Sequence, residues 1–187
     1  MKKTVTLLLL FSFFNVSAAD SDSCSKWWPW IQPACKRLHQ IWTEGENELY
    51  LSGYAWHNRH TYSKSKLRTY NEKAWGGGLG KGLYDEKGNW HGLAALAFLD
   101  SHKNLEPVAG YVYLKVAHLT PKLNVGAGYS ILATQRPDIF HGIPFAGVLP
   151  WVAVNYSKAS IMATYIPGAA GAGNVLYIIG KVKFDFF

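Results

Sequence analysis

The sequence predicts an all-β fold: an eight-stranded antiparallel transmembrane β-barrel preceded by a short N-terminal amphipathic α-helix. Three observations predict it. Hydrophobic residues make up 49% of the chain and aromatics 15%, yet beyond Phe14 no apolar run reaches the about 20 residues that a helical membrane span needs. The apolar residues fall instead into eight strand-length segments separated by Gly-, Pro-, Asn- and Lys-rich breaks. Finally, Val182, Phe184 and Phe186 alternate with Lys183 and Asp185 just before the terminal Phe187, an aromatic last strand of the kind that closes membrane barrels.

Lys2 and Lys3, the apolar run from Val5 to Phe14 and the small residues Ser17, Ala18 and Ala19 form an export signal, so 1–19 is expected to be removed. Residues 20–47 form an N-terminal segment. Its two cysteines, Cys24 and Cys35, are either joined in an oxidising compartment or two free thiols. Ala34, Leu38, Ile41 and Trp42 recur at helical spacing opposite Lys36, Arg37, His39, Gln40 and Thr43, which gives the amphipathic helix. Such a helix suits a membrane interface or the side of a soluble core equally well.

The barrel is expected over 48–187, with strands at 49–59, 73–84, 90–101, 107–119, 123–133, 142–156, 159–166 and 174–186, and with no helix after Glu48. An even strand count suits a closed single-chain barrel. The longer polar connections at 60–72 and 136–141 face outside, and tight turns such as 85–89 and 157–158 face the periplasm. A closed small barrel has no free edge and needs no partner copy, so a monomer suffices. The third strand is apolar or small on both faces, which fits a packed core or a pocket for an apolar ligand rather than a water-filled pore. Gly76, Gly77, Gly78, Gly80 and Gly82 open interior space or relieve curvature in the second strand. The formal charge of +7 favours phosphate-rich partners, and export makes these membrane lipids rather than nucleic acid.

His57 ends the first strand, and Asp100 and Ser101 end the third; antiparallel order brings both ends to one rim. A histidine, a serine and an acid at the mouth of an apolar pocket suit acyl transfer: the imidazole accepts a hydroxyl proton and the carboxylate orients it. The bland alternative, two turn residues and an interfacial histidine, stays open on spacing alone. No zinc-ligand spacing, phosphate loop or Gly-x-Ser-x-Gly elbow occurs.

Several segments, in order, resemble the PagP-type lipid A palmitoyltransferases. They are Tyr54-Ala55-Trp56-His57, Arg68-Thr69-Tyr70-Asn71-Glu72, Trp75-Gly76-Gly77-Gly78 and the run from Asp85 to Gly92. They continue with Asp100-Ser101, Glu106-Pro107-Val108-Ala109-Gly110-Tyr111, Thr164-Tyr165-Ile166-Pro167-Gly168 and Gly173-Asn174-Val175. The resemblance implies transfer of an acyl chain from a glycerophospholipid to lipid A in the outer membrane of a Gram-negative bacterium, without metal or cofactor, and resistance to cationic antimicrobial peptides. It implies catalytic roles for His57, Asp100 and Ser101, and substrate contacts at Asp85, His91 and Arg136.

Two positions depart from the family pattern. Val112 stands where the family has an inward glycine at the pocket floor, which implies an acyl chain shorter than palmitate or a looser choice. Of two proline pairs that open lateral paths for lipid, Pro150 and Pro167 are present, while the other pair falls on Ser52 and Ala74. A lipid A deacylase or phospholipase using water as acceptor, and a non-enzymatic lipid-binding barrel, are the rival readings.

Overall fold

The structure, a computed structural model, describes residues 21–168 and 173–185; the expected export signal at 1–19, together with Phe186 and Phe187, lies outside the described residues. The chain divides into two compact units at His39/Gln40. The first contains a 3-10 helix over Ser21–Lys26, the disulfide between Cys24 and Cys35, and stacked Trp28 and Trp30 rings. Helix α1 (Gln32–Glu44) begins there and runs into the second unit. Pro33 is tolerated because first-turn amides have no helical acceptor. Ile41 is fully buried, whereas Trp42 is exposed.

The second unit is the barrel: β1 (Glu46–His57), β2 (Gly76–Tyr84), β3 (Trp90–Leu99), β4 (Leu105–His118), β5 (Leu123–Thr134), β6 (Phe145–Tyr156), β7 (Ala159–Ile166) and β8 (Val175–Phe184). Each strand pairs antiparallel with the next, and β8 returns to β1 to close the cylinder. All eight predicted strands are present with ends moved by a few residues. The earlier start of β1 has a physical cause. Glu46, Asn47 and Glu48 look like loop, but Glu48 is buried and bonded to Lys181 Nζ at 2.7 Å and to the Tyr50 hydroxyl at 2.7 Å. A paired internal charge leaves no trace in a one-strand hydropathy pattern.

The expectation of no helix after Glu48 is corrected at two places. Helix α2 (Lys64–Leu67) is a single turn whose start is capped by Ser63 Oγ accepting from the Lys66 amide, and a 3-10 turn covers Phe140–Gly142. One turn is too short for apolar periodicity to betray it.

Outward positions carry an apolar belt that includes Leu51, Leu79, Ile131, Val148, Val152 and Ile161, all exposed, as a hydrocarbon-facing surface requires. The interior is layered. Toward the tight-turn rim it is polar, with Glu48, Lys181, Asn155 and Ser160 buried, and Lys181 Nζ lies 3.6 Å from the centre of the Trp90 ring. Toward the opposite rim it is mainly apolar, with Leu96, Phe98, Tyr177 and Ile179 packed together.

One irregularity positions the reactive side chains. On β1, Glu48, Tyr50 and Ser52 point inward; beyond them the inward residues are Ala55 and His57. The parity changes because Ser52 opposes Ile179 and Tyr54 opposes the adjacent Ile178, which leaves Gly53 as an extra residue in a β-bulge. Were Gly53 part of the regular pleat, strict alternation would turn Trp56 inward and His57 toward lipid. Deleting Gly53 removes only the extra residue and should leave Ala55 and His57 on the inward face, whereas one residue inserted between Tyr54 and Ala55 is expected to turn residue 57 to the bilayer. In a His57→Cys background, a lipid-soluble maleimide should label the insertion and neither the parent nor the Gly53 deletion; equal labelling of all three would contradict the parity argument.

Candidate active site

β1 and β3 run in the same direction and end at the rim that carries the longer connections. The bulge turns His57 inward there, and the tight turn after β3 carries Ser101. The two meet: His57 Nε2 lies 2.8 Å from Ser101 Oγ, and His57 is only 1% exposed.

The carboxylate beside this histidine is Glu72, in the β1–β2 connection. Its Oε1 accepts from the His57 backbone amide at 3.0 Å and lies 3.4 Å from His57 Nδ1. A carboxylate there favours the tautomer protonated at Nδ1, which leaves Nε2 to accept the Ser101 proton. Arg59 grips both Glu72 oxygens, Nη1 on Oε1 and Nη2 on Oε2, each at 2.6 Å. That guanidinium holds the Glu72 carboxyl below the usual carboxylate range, against the effect of partial burial and with help from the His57 amide. Glu72 is thus ionised at neutral pH. The Tyr70 ring stacks on His57 at 4.6 Å between centroids, Tyr62 stands edge-on at 6.1 Å, and the Tyr62 hydroxyl donates to the Gly173 carbonyl at 2.5 Å.

Asp100, the acid singled out in the sequence, occupies a different place. Its carboxylate accepts from the His102 amide at 2.8 Å, the Asn104 amide at 2.7 Å and Asn104 Nδ2 at 3.3 Å. Asp100 therefore fixes the turn that presents Ser101, and no hydrogen bond joins it to His57 among the described residues. Asn71 ties the two loops together, its amide donating to the Ser101 carbonyl at 2.8 Å and its Nδ2 to the Asp100 carbonyl at 3.3 Å.

Arg136 shares this rim. It forks onto Asp138 through Nε at 3.0 Å and Nη2 at 2.8 Å, with Glu106 3.6 Å from Nη1. The guanidinium lowers the Asp138 carboxyl from its ordinary value. Asp85 and His91 lie at the opposite rim, Asp85 on the turn between β2 and β3 and His91 at the start of β3. Asp85 Oδ2 is 3.1 Å from His91 Nε2, and His91 Nδ1 is 2.7 Å from the Tyr111 hydroxyl. Burial alone would raise the Asp85 carboxyl, but hydrogen bonds from the Asn89 amide, His91 and the Lys87 amide outweigh it and hold the group at about 2. This cluster does not touch the Ser101–His57 pair.

Val112 opposes Gly92 and Ser130 and packs against the inner cluster that holds Trp90 and Leu114. Pro150 lies where a ladder stops: β6 pairs with β7 only from Trp151 opposite Thr164 onward, so Phe145–Pro150 has β5 as its sole strand neighbour. Above that point Thr164 Oγ1 donates to the Pro150 carbonyl at 2.6 Å, and Pro167 follows the end of β7. The β1–β2 ladder also stops, at Ser52 opposite Gly76. There Ser52 Oγ donates to the Ala74 carbonyl and the Ala55 amide to the Glu72 carbonyl at 3.0 Å, which ties that seam shut.

Glu72, Arg59 and Tyr70 were not assigned as site residues from sequence. No periodicity links Glu72 to His57; only a loop folding back over the end of its own strand does so. Replacing Glu72 by Gln removes the charge that favours the imidazolium and leaves Arg59 unpaired beside the ring. Turnover that depends on the Ser101 hydroxyl should fall on the order of 100-fold, and the acidic limb of its pH–rate profile should move to lower pH. A profile that keeps its midpoint would reduce Glu72 to a structural loop residue.

Comparison with known proteins gives the family. Residues 37–181 match the family described as antimicrobial peptide resistance and lipid A acylation protein PagP. A protein of Legionella pneumophila named lipid A acyltransferase PagP is 55% identical over 98% of this chain and 100% of its own. Proteins of the same name are 57% identical in Legionella longbeachae, over 91% of this chain and 75% of that one, and 49% identical in Bordetella parapertussis, over 92% and 94%. With a closed eight-stranded barrel, a matched span of 145 residues and relatives this similar over at least 75% of their length, the chain belongs to the PagP family of lipid A acylation proteins.

Proposed function

We propose that this lipid A acyltransferase takes its acyl chain from a glycerophospholipid and delivers it to a lipid A hydroxyl at the outer face of the Gram-negative outer membrane, with Ser101 and His57 carrying the chemistry. Acylation of lipid A and resistance to antimicrobial peptides follow from its family. The observation that carries the finer reading is the 2.8 Å contact between Ser101 Oγ and His57 Nε2 at the long-loop rim.

The donor ester carbonyl is attacked by an oxygen nucleophile whose proton passes to His57 Nε2. The carbonyl–oxygen bond to the glycerol then breaks, and His57 returns the proton to the departing lysophospholipid. The nucleophile is either the Ser101 hydroxyl, which then passes the acyl group to lipid A through a second equivalent step, or the lipid A hydroxyl itself with Ser101 relaying the proton. In both routes Glu72 positions and balances the imidazolium, and Asp100 fixes the turn beneath Ser101. Lipids reach the rim through the seam at Pro150 and Pro167, where strand pairing is missing. Arg136, on the same rim, is placed to meet a head group; Asp85 and His91 form a largely covered pair at the other rim, proposed to contact substrate there. The chain is exported, loses residues 1–19, and functions as a single copy.

Labelled phospholipid incubated with lipid A and the purified chain tests this. The expected product is labelled lipid A, lost by at least about 1000-fold in Ser101→Ala and His57→Ala. Label appearing only as free fatty acid would make the chain a hydrolase, and full transfer by both variants would remove the catalytic assignment. Val112 is the proposed floor for the acyl chain. Mass analysis of the product should then give chains shorter than palmitate, with Val112→Gly shifting the distribution to longer ones. Clean palmitate transfer by the parent chain would rule the floor out.

A further inference from the structure

Beside the reactive pair, the β1–β2 connection and the β3–β4 turn enclose a cleft of about 800 Å³. Its cations are Arg59, Lys64, Arg68, Lys73 and Lys103, and its only carboxylate is Glu72. Arg59 already occupies both oxygens of that carboxylate. Among the described residues, Lys64, Arg68, Lys73 and Lys103 have no anionic partner, so the cleft carries four uncompensated positive charges. Lys64 and Arg68 stand four positions apart, where like charges on a helix repel, at a cost to a single-turn helix that an anion between them would offset. The cleft also adjoins the chemistry: Tyr70 and Glu72 line it, and the same two side chains contact His57.

We propose that this cleft binds a phosphate group borne on the sugar head group of the lipid acceptor, and so holds the acceptor hydroxyl at Ser101. The proposal rests on the reading of lipid A, a phosphorylated glucosamine disaccharide, as acceptor. Convergent lysine and arginine side chains with no protein anion suit a multiply charged phosphate, and the rim above the apolar belt is where head groups lie. Arg59 and Glu72 neutralise each other and serve His57; Lys64, Arg68, Lys73 and Lys103 serve the ligand.

The test compares phosphorylated lipid A with the same lipid A after phosphatase treatment, using the full chain in mixed micelles and one phospholipid donor. The parent chain should show a KM about tenfold higher for the dephosphorylated acceptor. In Lys64→Gln/Arg68→Gln the KM for phosphorylated lipid A should rise by a similar factor and the two acceptors should become equivalent. The charge-preserving Lys64→Arg/Arg68→Lys should keep the discrimination, and a folded-barrel shift in gel mobility confirms that each variant is intact. An unchanged KM ratio in the charge-removed variant would overturn the cleft while leaving acyl transfer standing. Inhibition by inorganic phosphate without discrimination between acceptors would assign the cleft to a free anion and also overturn it. Donor cleavage with no acylation of either lipid A would instead overturn the acceptor reading on which the proposal rests.

Discussion

The governing constraint is that a backbone amide in hydrocarbon finds no water to replace a missing hydrogen bond, so a sheet that spans a membrane has to close. Eight antiparallel strands with β8 returned to β1 meet it. Closure makes side-chain parity binding: each residue faces either lipid or the interior, and a neighbour cannot share its direction. Every functional feature of the rim follows from where that rule holds and where it is broken. It is broken once on β1, where Gly53 bulges out of the alternation, so that His57 faces inward instead of toward lipid. It lapses again where β6 and β7 separate above Trp151, leaving strand edge with no ladder partner beside Pro150.

The interior extends the same logic. Its tight-turn end is filled by groups that satisfy one another, with Lys181 held by Glu48 and set over Trp90, and Glu48 also taking the Tyr50 hydroxyl. Removing one member of such a buried pair typically costs about 3–5 kcal/mol, because the other charge is left without water or partner. The network thus gives the barrel a fixed polar base. Above it the lining turns to Leu96, Phe98, Val112 and Met162, surfaces suited to hydrocarbon rather than water. An apolar interior standing on a polar base, with a serine and a histidine at its upper lip, is suited to contact with an acyl ester.

Much of this was legible in the sequence because it depends on short-range pattern. The strands announce themselves by apolar segments between turn residues, and 159–166 is matched end to end by β7. The shared rim of His57 and Ser101 follows from counting antiparallel strands. What escaped is long-range or chemically disguised. Glu48 and Lys181 lie 133 positions apart, so their mutual neutralisation is invisible from either segment. Glu72 reaches His57 only because Asn71 pins its loop to the Ser101 turn. Asp100 illustrates the converse: proximity in sequence to Ser101 suggested a partner for the histidine, while its oxygens are occupied by the amides of its own turn.

The most direct measurement is the mass of lipid A extracted from a Gram-negative host lacking its own such enzyme, with this chain or its Ser101→Ala form in the outer membrane. An added acyl chain that appears with the parent and is absent with Ser101→Ala is the predicted result. An unaltered lipid A in both, or the same added chain in both, would contradict an enzyme whose rim serine acylates lipid A.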